Sequence, residues 1–218
     1  MIAIIFALKS ESISFLNVLQ DKKEISLLDK QAYIGKLNDK EVIVAISGIG
    51  KVSSSLTTQV IIDKYNPKFV INAGTSGGTD PSVKILSFYL IEKCFQFDFD
   101  VTEIDDVEIG YIQEYDRVFF PTYTKNIDFL DKASLATADR FSNEKKDLDL
   151  IKKYGCAVRD MEGSAIAQVC LSNNKDFICI KGITDVYGSG VAKDDFYNNL
   201  DKVCKNLASI LKKIIEIL

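Results

Sequence analysis

The 218-residue sequence predicts a single α/β domain, a mixed and largely parallel sheet flanked by helices. Three observations carry this. Short, nearly continuous apolar runs rich in β-branched residues recur along the chain, as strands covered on both faces require. Helical patterns separate them, and such alternation gives a right-handed, parallel layering. No linker, repeat or break in composition divides 1–218, and large α/β domains reach this length.

In chain order, the run 2–8 stops at Lys9-Ser10-Glu11 and lacks a basic leader. It is too short for a secretion signal or a membrane span and reads as a buried strand. A helix is expected over 12–19, with Ile13, Phe15, Leu16 and Leu19 apolar. Strands 33–37 and 41–47 form a hairpin across Asn38-Asp39. The helix 52–65 carries Leu56, Val60, Ile61 and Tyr65 and stops before Asn66-Pro67. Further strands are expected at 68–73, 86–91, 133–137 and 177–183, each bounded by Gly, Ser, Asp or Asn. Helices are expected at 161–172 and 194–218. The second repeats Leu207, Ile210, Leu211, Ile214, Ile215 and Leu218, a strip for packing on the sheet. The stretch 97–120 is acidic and aromatic with few helix or strand cues, the character of a lid or interface loop.

Composition removes whole classes of function. Hydrophobic residues make up 47% and charged residues 27%, enough for both a core and a polar surface. A net charge of −4 provides no footprint for nucleic acid or for an anionic membrane. There are no histidines, so Ser–His–Asp chemistry and His-ligated zinc are excluded, and acid–base work falls to Asp, Glu, Lys, Tyr or Cys. The five cysteines form no Cys-x-x-Cys pair and read as reduced core fillers of a cytoplasmic protein.

Ligands of open α/β sheets bind beyond the carboxyl ends of the strands. The residues there are Glu11, the Ser47-Gly48-Ile49-Gly50-Lys51 loop, Gly74-Thr75-Ser76-Gly77-Gly78, Asp139-Arg140-Phe141 and Thr184-Asp185, while Arg159-Asp160-Met161-Glu162-Gly163 opens a helix. Singly, each has an ordinary structural explanation. Glu11 and Asp160 or Glu162 read as first-turn acids of helices, Asp185 as a loop cap, and Phe141 as core. Ser47–Lys51 lacks the third glycine of a dinucleotide fingerprint and the spacing of a P-loop. The Gly74–Gly78 segment is more specific, because its glycines free backbone N–H groups to approach an anion or a sugar, or else make a tight turn. The functional argument is their convergence on one rim.

Six segments, in one order across nearly the whole chain, carry a resemblance. They are SGIGKV from Ser47, FVINAGTSGG from Phe69, DVT from Asp100, ADRFSN from Ala138, RDMEGSAIAQVC from Arg159 and ITDV from Ile183. With these the sequence resembles the nucleoside phosphorylase and nucleosidase superfamily, and within it the bacterial methylthioadenosine/S-adenosylhomocysteine nucleosidases. The resemblance implies a nucleoside phosphorylase-like fold, a homodimer, a small nucleoside substrate and no cofactor or metal.

By position it implies that Glu11 activates the attacking water, with Thr75 holding that water. Met161 and Glu162 grip the ribose. Phe141 stacks on adenine and backbone around Ser142 reads the base edge, with Ile49 also lining the substrate. Asp185 protonates N7, and Phe196 closes the 5′ end. Lys181 stands where these enzymes carry Arg, as a water-positioning residue with a point charge in place of a fork of donors. A phosphorylase needs an arginine after the first strand to hold phosphate. Glu11 in that loop repels phosphate and suits water. The competing readings are a phosphorolytic enzyme, a futalosine-type hydrolase, and a nucleoside-binding protein without catalysis. The presence of both Glu11 and Asp185 speaks against the last.

Overall fold

The computed structural model describes residues 1–80, 82–141, 144–187 and 192–218. Its architecture is the predicted one: a central mixed sheet with helices packed on it. Strands β1 (Ile2–Phe6), β4 (Lys40–Ile46) and β5 (Phe69–Gly78) run parallel side by side, with β1 in the middle. Their apolar residues are almost all buried, which is why these runs lack alternation. β3 (Lys30–Leu37) and β4 form the expected hairpin, Leu37 facing Lys40. Asn38 and Asp39 have φ of 49° and 61°, the left-handed pair a two-residue hairpin turn requires.

β5 is the hinge of the topology. Along its whole length it pairs with β10 (Asp176–Val186), and its last two residues pair antiparallel with β9 (Val158–Asp160). β10 continues to β6 (Phe88–Gln96), β6 to β8 (Asp131–Thr137), and β8 back to β9. Five strands thus close a ring on one side of the sheet. The short β7 (Phe119–Pro121) adds to β6.

Helices α1 (Lys9–Leu16) and α5 (Ala192–Ile217) pack together on one face, where Leu207, Leu211, Ile214 and Ile215 join Ile4, Phe6, Ile71 and Ile178 in one core. On the other face α2 (Lys51–Tyr65) lies against α4 (Gly163–Ser172). All five cysteines are free and buried.

Three expectations need correction. The Gly74–Gly78 segment is not a turn: it is the second half of β5, and glycine is used there to admit neighbouring side chains. Arg159 and Asp160 belong to a strand, β9, and the helix begins only at Gly163 with Glu162 as its N-cap. Asp185 does not follow β10 but lies within it, at a bulge between Ile183 and Asp185. Besides β9, the strands β2 (Gln20–Leu27) and β7 and the helix α3 (Lys145–Lys153) went unforeseen, β7 closing a stretch expected to be a loop. β2 is an almost wholly exposed, charged strand, and α3 buries only Asp147, Leu148 and Ile151.

Candidate active site

A cavity of about 240 Å³ opens at the carboxyl ends of β1, β5 and β10. Glu11, Ile49, Thr75, Phe141, Met161, Glu162, Asp185 and Phe196 all line it. Residues spread over 185 positions of sequence thus meet around one ligand-sized space. Ser142 lies outside the described residues. Lys181 is not on the wall: it is wholly buried, its Nζ 2.7 Å from Asp160 Oδ2.

Glu11 is the third residue of α1. Its Oε2 accepts the Leu8 N–H at 2.9 Å, the reciprocal half of a capping box, which orients the carboxylate. Its Oε1 accepts both the N–H and the hydroxyl of Thr75, each at 2.7 Å. A Cβ at Gly74 would sit 3.0 Å from Glu11 Oε1, so glycine lets the carboxylate rest on β5. The structural and the chemical explanation of Glu11 therefore coexist: a first-turn acid, held rigid and facing the cavity.

Glu162 is buried at the start of α4, and its Oε1 accepts the Gly50 N–H at 2.9 Å from the loop before α2. Burial, reinforced by the nearby Asp160 charge, pushes its carboxyl up to about 7 despite Lys181 and the Gly50 N–H. Asp160 accepts from Thr137 Oγ1 at 2.6 Å and from Gly163 N at 2.7 Å as well as from Lys181. For Lys181 burial opposes the charge, yet Asp160 with Cys179 and Glu162 prevails and its pKa is raised: the ammonium is fixed.

Asp185 is only 1% exposed. Its Oδ1 accepts the Thr184 hydroxyl at 2.9 Å, while its Oδ2 has no hydrogen-bond partner. Arg159 approaches Oδ2 to 3.6 Å. Burial raises the Asp185 pKa, Thr184 and Arg159 pull the other way, and Asp195 adds a small upward push. A buried carboxyl on the cavity wall whose pKa is raised is the pattern of a candidate proton donor. A buried strand and neighbouring acids would both raise that pKa. Burial is the larger cause, and the principal charged neighbour is a cation.

Phe141 is 58% exposed at the cavity mouth, with the Arg159 guanidinium carbon 5.1 Å from its ring centre. Sequence reasoning missed Arg159 and Asp160 as wall residues, although both lie in the RDMEG segment. Their signal was two charges at the end of a short apolar stretch, read as a helix start. Among the described residues, no group of His, Cys, Asp and Glu is arranged to hold a metal ion.

A family profile described as "Phosphorylase superfamily" matches residues 2–216. The 5′-methylthioadenosine/S-adenosylhomocysteine nucleosidase of Buchnera aphidicola subsp. Acyrthosiphon pisum (strain Tuc7) is 32% identical, covering 99% of this chain and 97% of its own. A crystal structure of an Asp-to-Asn mutant of the Helicobacter pylori enzyme, with 5′-methylthioadenosine in the active site, superposes with a TM-score of 0.92 at 27% identity, covering 100% of this chain and 98% of that one. The Helicobacter pylori futalosine hydrolase superposes with a TM-score of 0.91 at 26% identity, covering 100% and 97%.

Proposed function

Since the chain belongs to the phosphorylase superfamily, we propose that it is a nucleosidase hydrolysing the N-ribosidic bond of 5′-methylthioadenosine and S-adenosylhomocysteine, with release of adenine. The observation that carries this is one cavity shared by Glu11, Glu162 and Asp185, with Asp185 Oδ2 buried and without a hydrogen-bond partner. Cleaving the bond leaves positive charge on the sugar and negative charge on the purine. Asp185 hands a proton to N7, so that adenine departs neutral. Glu162 accepts hydrogen bonds from the ribose hydroxyls and, ionised, balances the oxocarbenium-like cation. Glu11, oriented by Leu8 N and held beside Thr75, takes the proton of the attacking water.

Phe141 at the mouth stacks on the base, Met161 and Ile49 complete the apolar walls, and Phe196 covers the 5′ end. Lys181 acts through Asp160, whose carboxylate it fixes beneath Glu162, and so steadies the water site indirectly. Water as nucleophile is supported by the charge of the wall. Among the described lining residues the single cation is Arg159, beside Asp185, while the Glu11 side carries only negative charge.

The whole chain acts as one nucleosidase domain, in the cytoplasm and as a homodimer. The buried free thiols support the location, and no helix among the described residues is long and apolar enough to cross a membrane. The dimer is supported by Val52 and Leu56, one turn apart on α2 and 79% and 49% exposed, with Ile49 in the preceding loop 53% exposed.

Adenine release from 5′-methylthioadenosine and S-adenosylhomocysteine, in phosphate-free buffer and with phosphate added, tests the reading. Release that is independent of phosphate is expected. Dependence on phosphate would make the enzyme a phosphorylase, and release only of hypoxanthine, from a futalosine-type substrate, would move it to the other hydrolase.

A further inference from the structure

The register of three strands places Arg159, Gly77 and Asp185 in one row. Gly77 on β5 faces Arg159 on β9 and Asp185 on β10. A Cβ at Gly77 would lie 2.8 Å from Arg159 Nε and 3.0 Å from Asp185 Oδ2, so glycine is what lets the two side chains meet across the strand. Arg159 is 7% exposed and Asp185 is 1% exposed. Burying a guanidinium costs solvation, and burial does lower the Arg159 pKa while Asp185 holds it up. The charges facing Asp185 are Arg159 from β9 and Asp195 from α5, with the Thr184 hydroxyl beside it in β10. Those facing Arg159 also include Asp147 from α3 and Tyr187. Arg159 is the only cation on the described cavity wall, and it sits at the oxygen of Asp185 that nothing else engages.

We propose that Arg159 is a positioning residue for the departing base, its guanidinium stabilising the carboxylate that Asp185 becomes once its proton has gone to the purine. The inference rests on the nucleosidase reading above. The proton on Asp185 passes to N7, the C1′–N9 electron pair goes to the purine, and C1′ takes the water oxygen while the water proton goes to Glu11. Negative charge thus appears on Asp185 as the bond breaks, 3.6 Å from a fixed positive charge in a dry wall. Phe141, with its ring 5.1 Å from the same guanidinium, limits where that charge can move.

The test compares wild type, Arg159→Gln and Arg159→Lys on 5′-methylthioadenosine and on the matching p-nitrophenyl riboside, whose phenolate leaves without a proton. For Arg159→Gln, adenine release is expected to fall about 100-fold, with a loss on the nitrophenyl riboside at least about tenfold smaller. The alkaline limb of its pH–rate profile moves up by about one pH unit, since Asp185 keeps its proton longer without the cation. Arg159→Lys returns the limb towards wild type. Equal losses on both substrates, or an unmoved limb, would overturn the assignment and leave Arg159 a packing residue. A wild-type protein that releases no adenine would instead refute the nucleosidase reading itself.

Discussion

Asp185 shows how a carboxylic acid is made from ordinary parts. Its strand buries it on the cavity wall, Thr184 satisfies one oxygen, and the other has Arg159 nearby but no hydrogen-bond partner. Asp185→Asn removes the transferable proton while keeping shape. Turnover is expected to fall about 10²- to 10⁴-fold, as for loss of a general acid, with the dissociation constant of 5′-methylthioadenosine nearly unchanged. Single-turnover kinetics with a parallel binding titration checks both halves, and near-normal turnover would remove Asp185 from its role. Glu162 has the opposite requirement, because it must be ionised to balance the sugar cation. With its pKa up at about 7, kcat/KM is expected to rise as pH climbs through that value, the neutral form below it being the inactive one. A profile flat between pH 6 and 8 would contradict this. These residues were legible because the chemistry needs rare types at strand ends. Arg159 was not, because a charge in a short strand resembles a helix start until register shows its partner.

Legibility differed between elements for a physical reason. β1, β4, β5 and β10 are covered on both faces, and their continuous apolar runs announce them. β2 is an edge strand whose charges protect it from pairing with another chain, so it carries no apolar signal. β7 and β9 have three residues each and exist only through their partners. In β5, glycine serves close packing while its usual message is a turn, and substitutions at Gly77 of β5 and Gly182 of β10 separate an effect on the cavity wall from one on the core. Gly77→Ala drives a methyl between Arg159 and Asp185, both side-chain atoms that can shift. Activity is therefore expected to drop at least about tenfold with little loss of stability. Gly182→Ala places its methyl 2.4 Å from Val203 Cγ1 and 2.7 Å from Phe88, between β10 and α5. It should lower the unfolding free energy by about 1–3 kcal/mol, the cost of overpacking. Denaturant melts and adenine release on both variants decide whether the two glycines differ in this way.

At the scale of the molecule, the cavity wall draws on both ends of the chain, from Ala7 to Phe196. The sequence order of the six matching segments was enough to infer this convergence, because each lies at a strand end of one sheet. The proposed homodimer is a separate matter of surface. Val52 and Leu56 expose apolar side chains one turn apart on α2, near the exposed Ile49 of the loop before it. Light scattering should report the mass of two chains for the wild type. Val52→Glu should shift it towards one by placing a charge in an apolar contact. A wild-type mass of one chain would refute the dimer.

β5 is hydrogen-bonded on both edges near each end: β10 on one side throughout, β1 and then β9 on the other. Its amides cannot exchange with deuterium by fraying or by release of a neighbouring loop, and should be among the last in the protein to do so. The cavity-lining Thr75 and Gly77 therefore ride on a backbone held by β10 along its whole length. In the proposed enzyme, labelling in the loop that carries Ile49 should slow when the cavity is filled, while β5 should change little.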